Sequence, residues 1–481
     1  MLIGMDVGGT NTDVAFVDGE TASIKVPNSA GIDTALSRIS RPGRLAVSTS
    51  TPLNHLLAER DRKIVTILIP GMGLFYESGM KGAVNHCGDI VEDIDRDEID
   101  RFLRANPADA VAIAGKFSVR NPALEMAAAE CACRYFPKER IALSHPLAVL
   151  DFPARIVTTR LNARIREEAF RLVSLIGQRK KDFLFFRGDG GLTTPENVLK
   201  DPSVLYNSSP AAVTLGVHYL TGLKDCLAVD IGGTTTDLVP LEKGIPCTEE
   251  LVYGGERTVT RVVKAESLPF GGDSVIADSI EPKRDGNALA FGGRLPTLTD
   301  ALNRAGYEIG DFRASLSLRL EHAEKAVDDY CSIVAAAVAA HDPPKIAGCG
   351  YLAPILVPEI ARRARKPFVI PPHAACANAV GVAVSRVSLT LFAHFDGGRG
   401  RVVMNGETGK IDRVGDDDEL VAICTAEVKR RALAAGADPR DLDDIRVLHC
   451  SSFDVVRGSF RTSRIADIVV QVAPGITAEA R

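Results

Sequence analysis

Tryptophan is absent from the 481 residues, and aromatic residues make up only 5% of them. A chain so poor in flat rings does not read nucleic-acid bases by serial stacking. No excess of one charge compensates: 57 Lys and Arg stand against 62 Asp and Glu, a net of -5. That balance excludes a broad basic face for nucleic acid or for an anionic membrane. Long hydrophobic runs are also missing. Stretches such as Ile64–Pro70 and Ser332–Ala340 fall well short of the ~18 apolar residues that span a bilayer. The opening MLIGMDVGG lacks a charged segment ahead of a long apolar one, so no secretory leader is expected, and a cytoplasmic location is. The ten cysteines form no CxxC pair and no zinc-type group. In a reducing compartment they read as buried free thiols. His55, His86 and His145 stand apart, with no Ser-His-Asp or metal-hydrolase constellation around them.

What remains is an ordinary globular composition, 46% hydrophobic and 25% charged, on a chain long enough for two or three domains. Short apolar runs alternate with Ala-rich amphipathic stretches. Strands are expected at Leu2–Val7, Asp13–Phe16, Ile64–Ile69, Ala110–Ala114, Phe183–Phe186, Cys226–Ile231 and Thr236–Leu241. Helices are expected at Ala154–Leu175, Pro210–Leu220, Ala323–Ala340, Ala353–Ala364 and Ala374–Val387. This alternation predicts α/β lobes with mixed sheets. The tail from about 390 has a different texture, with an Asn405-Gly406 turn, a helix near Leu420–Ala435 and strands at Val447–Cys450 and Ile465–Val472. It reads as a small α+β appendage.

One internal repeat carries chemistry. Residues 3–14 read IGMDVGGTNTDV and residues 227–238 read LAVDIGGTTTDL. Two copies imply one supersecondary unit used twice. In each, an apolar strand delivers an Asp (Asp6, Asp230) to a Gly-Gly turn. The turn lets a phosphate approach the backbone, because no Cβ stands in the way. Turn amides and Thr hydroxyls can donate to phosphate oxygens. A carboxylate beside a phosphate calls for a divalent cation, and magnesium prefers oxygen ligands and retained waters. Two such turns facing each other would hold a nucleoside triphosphate from both sides. Gly8, Gly9, Thr10 and Thr12 are the candidate phosphate ligands of the first copy, and Gly232, Gly233, Thr234 and Thr235 those of the second. Asp6 and Asp230 are expected to orient magnesium, and Asp13 and Asp237 to pin the hairpins.

With this repeat, and with Gly348-Cys349-Gly350 placed late between a strand and a helix, the chain resembles the actin, hexokinase and sugar-kinase superfamily. Within it the chain resembles the A-type subunit of the hydantoinase/oxoprolinase family. The resemblance rests on Ser48–Asn54, on Arg155-x-x-Thr158-Thr159-x-x-Asn162-Ala163, on Asp189–Leu192, Ser209–Ala212 and Gly271–Ser274, and on Pro296–Ala301, Pro371–His373 and Asn378–Gly381. It covers residues 1 to about 390. Two departures stand out. The family's Gly-Ala-Gly-Pro-Leu-His is here Gly348-Cys349-Gly350-Tyr351-Leu352-Ala353, and its Ser-Gly-Pro-Ala is Ser208-Ser209-Pro210-Ala211.

The resemblance implies two actin-like (ribonuclease H-like) lobes around a nucleotide cleft, residues 1–170 and 171–390, with 391–481 as the small C-terminal domain. It implies ATP and Mg2+ as cofactors, with Gly348 and Gly350 beside adenosine and Gly271, Gly272 and Ser274 lining the nucleotide side. Arg155, Thr159 and Asn162 are expected to face substrate or phosphate. The implied reaction is ATP-dependent activation and hydrolysis of a cyclic amide, a hydantoin or a 5-oxoproline-like lactam, with a B-type partner subunit. A stand-alone small-molecule kinase or ligase, and an ATPase that activates a partner protein, are the alternatives on the same fold.

Overall fold

The computed structural model describes residues 1–9, 11–27, 31–50, 61–457 and 460–480. Its first sheet starts with the first residues of the chain. Strand Leu2–Val7 is buried along its whole length, as its apolar composition demands. It pairs antiparallel with Asn11–Asp18, which turns at Gly19 (φ 77°) into antiparallel Glu20–Pro27. On its other side it runs parallel to Arg44–Thr49, which is followed by Phe183–Phe186 and then Leu192–Thr193. The first sheet therefore takes its outer two strands from beyond residue 170. A three-stranded parallel sheet (Ile64–Ile69, Ala110–Gly115, Ile141–Leu143) is inserted before them, with its own apolar core.

The second sheet repeats the plan. Cys226–Ile231 pairs antiparallel with Thr236–Glu242, and Thr236–Glu242 pairs antiparallel with the short strand Glu266–Leu268. Cys226–Ile231 runs parallel to Ile346–Cys349, which runs parallel to Phe368–Val369. The register is the same in both hairpins: Asp6 stands opposite Asp13, and Asp230 opposite Asp237. The two-lobed α/β architecture expected from the repeat is present. No expectation covered the strands Thr248–Tyr253, Glu256–Val263 and Ser274–Ile276, whose mixed composition hides the alternation.

Two helices join the lobes. Ser208–Thr221 crosses Ala377–Val384, and the latter lies on strand Leu2–Val7. The crossing is close enough to require glycine: a Cβ on Gly216 would lie 1.9 Å from the Ala377 carbonyl oxygen, and one on Gly381 1.8 Å from that of Ala212. The tail is a five-stranded antiparallel sheet, Glu407–Lys410, Arg401–Met404, Leu389–Asp396, Phe460–Val472 and Ile445–Arg457, under helix Asp417–Ala434. Asn405 and Gly406, both at positive φ, make the tight turn that their sequence announces. Leu391, Phe395 and Val470 of the tail share one apolar cluster with Leu2, Ala212 and Val380 of the lobes. Among the described residues no helix is long and apolar enough to cross a membrane.

Candidate functional site

Cross-strand neighbours share a face of a sheet, so register converts each hairpin into a row of side chains. In the first lobe the row is Ser48, Asp6, Asp13, Lys25. Asp6 is 2% exposed. Ser48 donates a short hydrogen bond to one carboxylate oxygen. Ser209 Oγ and Asn378 Nδ2 donate to the other, at 2.7 and 2.6 Å. Ser209 and Asn378 sit in the first turns of the two joining helices, so the close glycine crossing aims both N-termini at Asp6. Helix N-termini favour negative charge. Burial nevertheless raises the Asp6 carboxyl above its ordinary range, against the three donors that lower it. Asp13 is paired with Lys25 Nζ at 3.0 Å. Burial also raises the Asp13 carboxyl, and Lys25 opposes the shift.

In the second lobe the corresponding row is Cys349, Asp230, Asp237, Ser267. Asp230 is half-buried and accepts no hydrogen bond from a described residue. Its carboxyl is pushed up to about 7, first by burial and then by the negative charges of Asp237, Asp6 and Asp13, with Lys25 opposing. Asp6 and Asp13 belong to the other lobe, and they are near enough for their charge to reach Asp230. Asp237 accepts from Ser267 through a short hydrogen bond, and burial raises its carboxyl too. The turns beside the rows close alike: Gly8 N donates to Asn11 O at 3.0 Å, and Gly232 N to Thr235 O at 3.0 Å.

The remaining expected residues fall into three groups. Gly9, Gly232 and Thr234 are exposed at the turns, and Gly8, Gly233 and Thr235 are partly so. Thr10, the Thr51–Asn54 part of the threonine-rich segment and His55 lie outside the described residues. Thr12 is buried, as is its counterpart Thr236, whose hydroxyl is spent on Phe270 O (2.8 Å) and Tyr330 Oη (2.6 Å). Gly271, Gly272 and Ser274 are buried and brace the second turn: Gly272 N bonds Gly232 O at 2.9 Å and Asp273 N bonds Gly233 O at 2.7 Å. Gly348 packs against Val357 and Ile370, and Gly350 (φ 90°) leaves no room for a Cβ beside Ile231 O.

Arg155 and Asn162 depart from expectation. Both are fully buried, and their side chains bond to groups outside the two rows. The Arg155 guanidinium bonds Ser118 Oγ (2.9 Å), Ser144 Oγ (2.6 Å), Gly115 O (2.9 Å) and Lys116 O (2.5 Å) in the inserted sheet. Asn162 bonds Asp201 Oδ1 (2.9 Å) and Ser203 N (2.8 Å), and Thr159 bonds Arg155 O (2.6 Å). Their shared helix, Phe152–Gly177, reads as a spine whose motif serves packing. Sequence reasoning missed Lys25 and Arg284. Arg284 reaches Thr234 Oγ1 at 3.3 Å and pairs with Asp273 at 3.3 Å. For Lys25 a signal existed, in the strand period that sets it opposite Asp13.

The donor set bears on magnesium. Among the described residues no three His, Cys, Asp or Glu side chains enclose a metal position. Magnesium that keeps several waters needs one or two carboxylates rather than a cage. Asp230, half-buried and without a hydrogen-bond donor among the described residues, fits that role better than Asp6, whose oxygens already accept three bonds. A cavity of about 670 Å³ lies elsewhere, where His145, Arg187, Lys200, Arg261 and Arg430 converge between the inserted sheet, the lobes and the tail.

Paired Gly-Gly hairpins on two like sheets, each delivering an Asp to a shared cleft, define an actin-like fold. More narrowly, the chain belongs to the hydantoinase/oxoprolinase family: the N-terminal region of that family matches residues 2–136, and its hydantoinase/oxoprolinase domain matches residues 154–329. Among solved structures, nucleotide-free acetone carboxylase superposes with a TM-score of 0.75 at 16% identity, over 99% of this chain and 87% of that one. The ATP-dependent caprolactamase from Pseudomonas jessenii superposes with a TM-score of 0.62 at 17% identity, over the same shares. At such identities the likeness concerns the fold, and it extends through the tail. No curated protein matches the chain by sequence.

Proposed function

We propose that the cleft binds ATP with magnesium and uses it to activate the carbonyl oxygen of a small cyclic amide for hydrolysis. The observation that carries this reading is the pair of matching rows: each lobe ends an aspartate-bearing strand in a Gly-Gly turn, and Asp230 in the second row accepts no hydrogen bond from a described residue. ATP supplies a phosphoryl group that turns a poor amide leaving oxygen into a good one. The protein's part is positioning and charge neutralisation, as in other phosphoryl transfers. Asp230 orients the cation, Asp6 is locked by Ser48, Ser209 and Asn378, and the exposed turn residues hold phosphates. The ATP-dependent activities named for the carboxylase and the caprolactamase support a carbonyl oxygen as acceptor. In keeping with the family to which the chain belongs, a B-type partner subunit is proposed to complete the hydrolysis.

The test is calorimetry of ATP with magnesium on the wild type and on Asp230→Ala. Binding that needs magnesium and is lost in the variant is the expected result. A wild type that binds no nucleotide, with or without magnesium, removes the proposal for the isolated chain.

A further inference from the structure

Four carboxylates converge on this cleft, and a nucleoside triphosphate would bring about four more negative charges. Magnesium offsets two. The protein must offset part of the rest, because like charges within a few ångströms repel far more strongly at protein-like dielectrics than in water. Of the eight residues in the two rows only Lys25 is a cation. It stands opposite Asp13 in register, in the same row as Asp6, and its charge is felt by Asp230 across the cleft. Its counterpart in the second lobe is Ser267, which is neutral. Its side chain is 38% exposed whereas that of Asp13 is 9% exposed, so the ammonium can swing on its four-carbon stem while the carboxylate stays put. Arg284, a second cation near a turn, is divided between Asp273 and Thr234 and stands outside both rows, whereas Lys25 has the one carboxylate of Asp13 to leave.

We propose that Lys25 is the cation that receives the terminal phosphate of the bound nucleotide, exchanging Asp13 for a phosphate oxygen. The inference rests on the nucleotide reading above. It makes Lys25 a selector of triphosphate over diphosphate, and gives Asp13 the task of parking the ammonium at the rim until nucleotide arrives. No bond is made or broken in the exchange, and the ammonium stays charged in both positions.

The test compares affinities for a non-hydrolysable ATP analogue and for ADP, both with magnesium, by calorimetry. The wild type is expected to prefer the triphosphate by about tenfold, the typical worth of one charge-assisted contact. Lys25→Met strands a buried Asp13, so the decisive variant is Lys25→Met with Asp13→Asn, which removes both charges together; thermal melting checks its fold. Expected is ADP affinity within about threefold of wild type, with the triphosphate preference gone. Lys25→Arg should keep part of the preference. A double variant that still prefers the triphosphate overturns the inference and leaves the nucleotide site standing. Equal wild-type affinity for both nucleotides also overturns it. A wild type that binds neither removes the functional reading itself, and this inference with it.

Discussion

Asp6 and Asp230 hold the same place in two sheets, yet Asp6 accepts hydrogen bonds from Ser48, Ser209 and Asn378, and Asp230 accepts none from a described residue. The difference comes from neighbours that the repeat does not include. The parallel strand beside Asp6 presents Ser48, and the one beside Asp230 presents Cys349, whose buried thiol is pushed well above its ordinary range. The third strand offers Lys25 in one lobe and Ser267 in the other. A duplicated backbone has thus become an anchored half and an open half. The anchored carboxylate ties the first turns of the two joining helices to the first sheet, and the open one is the carboxylate proposed above to orient the cation.

The contrast is broken most sharply at the two aspartates. Asp230→Asn should weaken magnesium-dependent ATP binding by about a hundredfold, roughly 2.7 kcal/mol, and Asp6→Asn by only about tenfold. Calorimetry on both variants decides it, and equal losses would mean that the lobes share the cation evenly.

Cys349→Ser should make the second row resemble the first. A hydroxyl donating to Asp230 lowers its carboxyl from about 7. A fall of about one unit should strengthen magnesium-ATP binding about fivefold at pH 6 and hardly at pH 8, since only the ionised carboxylate meets the cation. An unchanged pH profile argues against hydrogen bonding as the source of the asymmetry. The same group sets a sign for stability. Between its ordinary value and 7 the folded protein holds a proton on Asp230 that the unfolded chain has released, so ligand-free stability falls as pH rises through that window and this contribution is flat above it. Melting temperatures without nucleotide should show the decline, and Asp230→Asn should make it shallower, the raised carboxyls of Asp6, Asp13 and Asp237 supplying the remainder.

The smallest effect on the cleft is expected far from both rows. Arg155→Met breaks a buried guanidinium network beside Glu125 and should cost several kcal/mol, of order 3–5, in stability. Nucleotide affinity of the folded protein should stay within about twofold of wild type. A large affinity loss without destabilisation would return Arg155 to the site.

Much of the candidate site is legible in the sequence. Asp6, Asp230 and both Gly-Gly turns are visible because the repeat is local, and a tight turn after a buried strand leaves few other residue choices. The helix Ala353–Ala364 coincides with expectation, and Phe152–Gly177 and Leu320–His341 lie within a few residues of it. The tail strands Ile445–Arg457 and Phe460–Val472 run far longer than expected, because an exposed hairpin needs no continuous apolar pattern. Arg155 and Asn162 misled for a physical reason: a polar motif on a long helix looks alike whether its groups face a ligand or knit buried backbone together.

By itself the sequence determined two copies of a strand-turn-strand unit, the α/β alternation around them and the family that carries both, since these depend on residues adjacent in the chain. Only the tertiary structure decided what each copy does. Ser209 and Asn378 lie more than 200 and 370 positions from the Asp6 they hold. Lys25 gains its place from strand register, and Cys349 from a parallel strand more than a hundred residues away. Hydrogen bonds and Coulomb interactions act over a few ångströms of space, whatever length of chain lies between the partners.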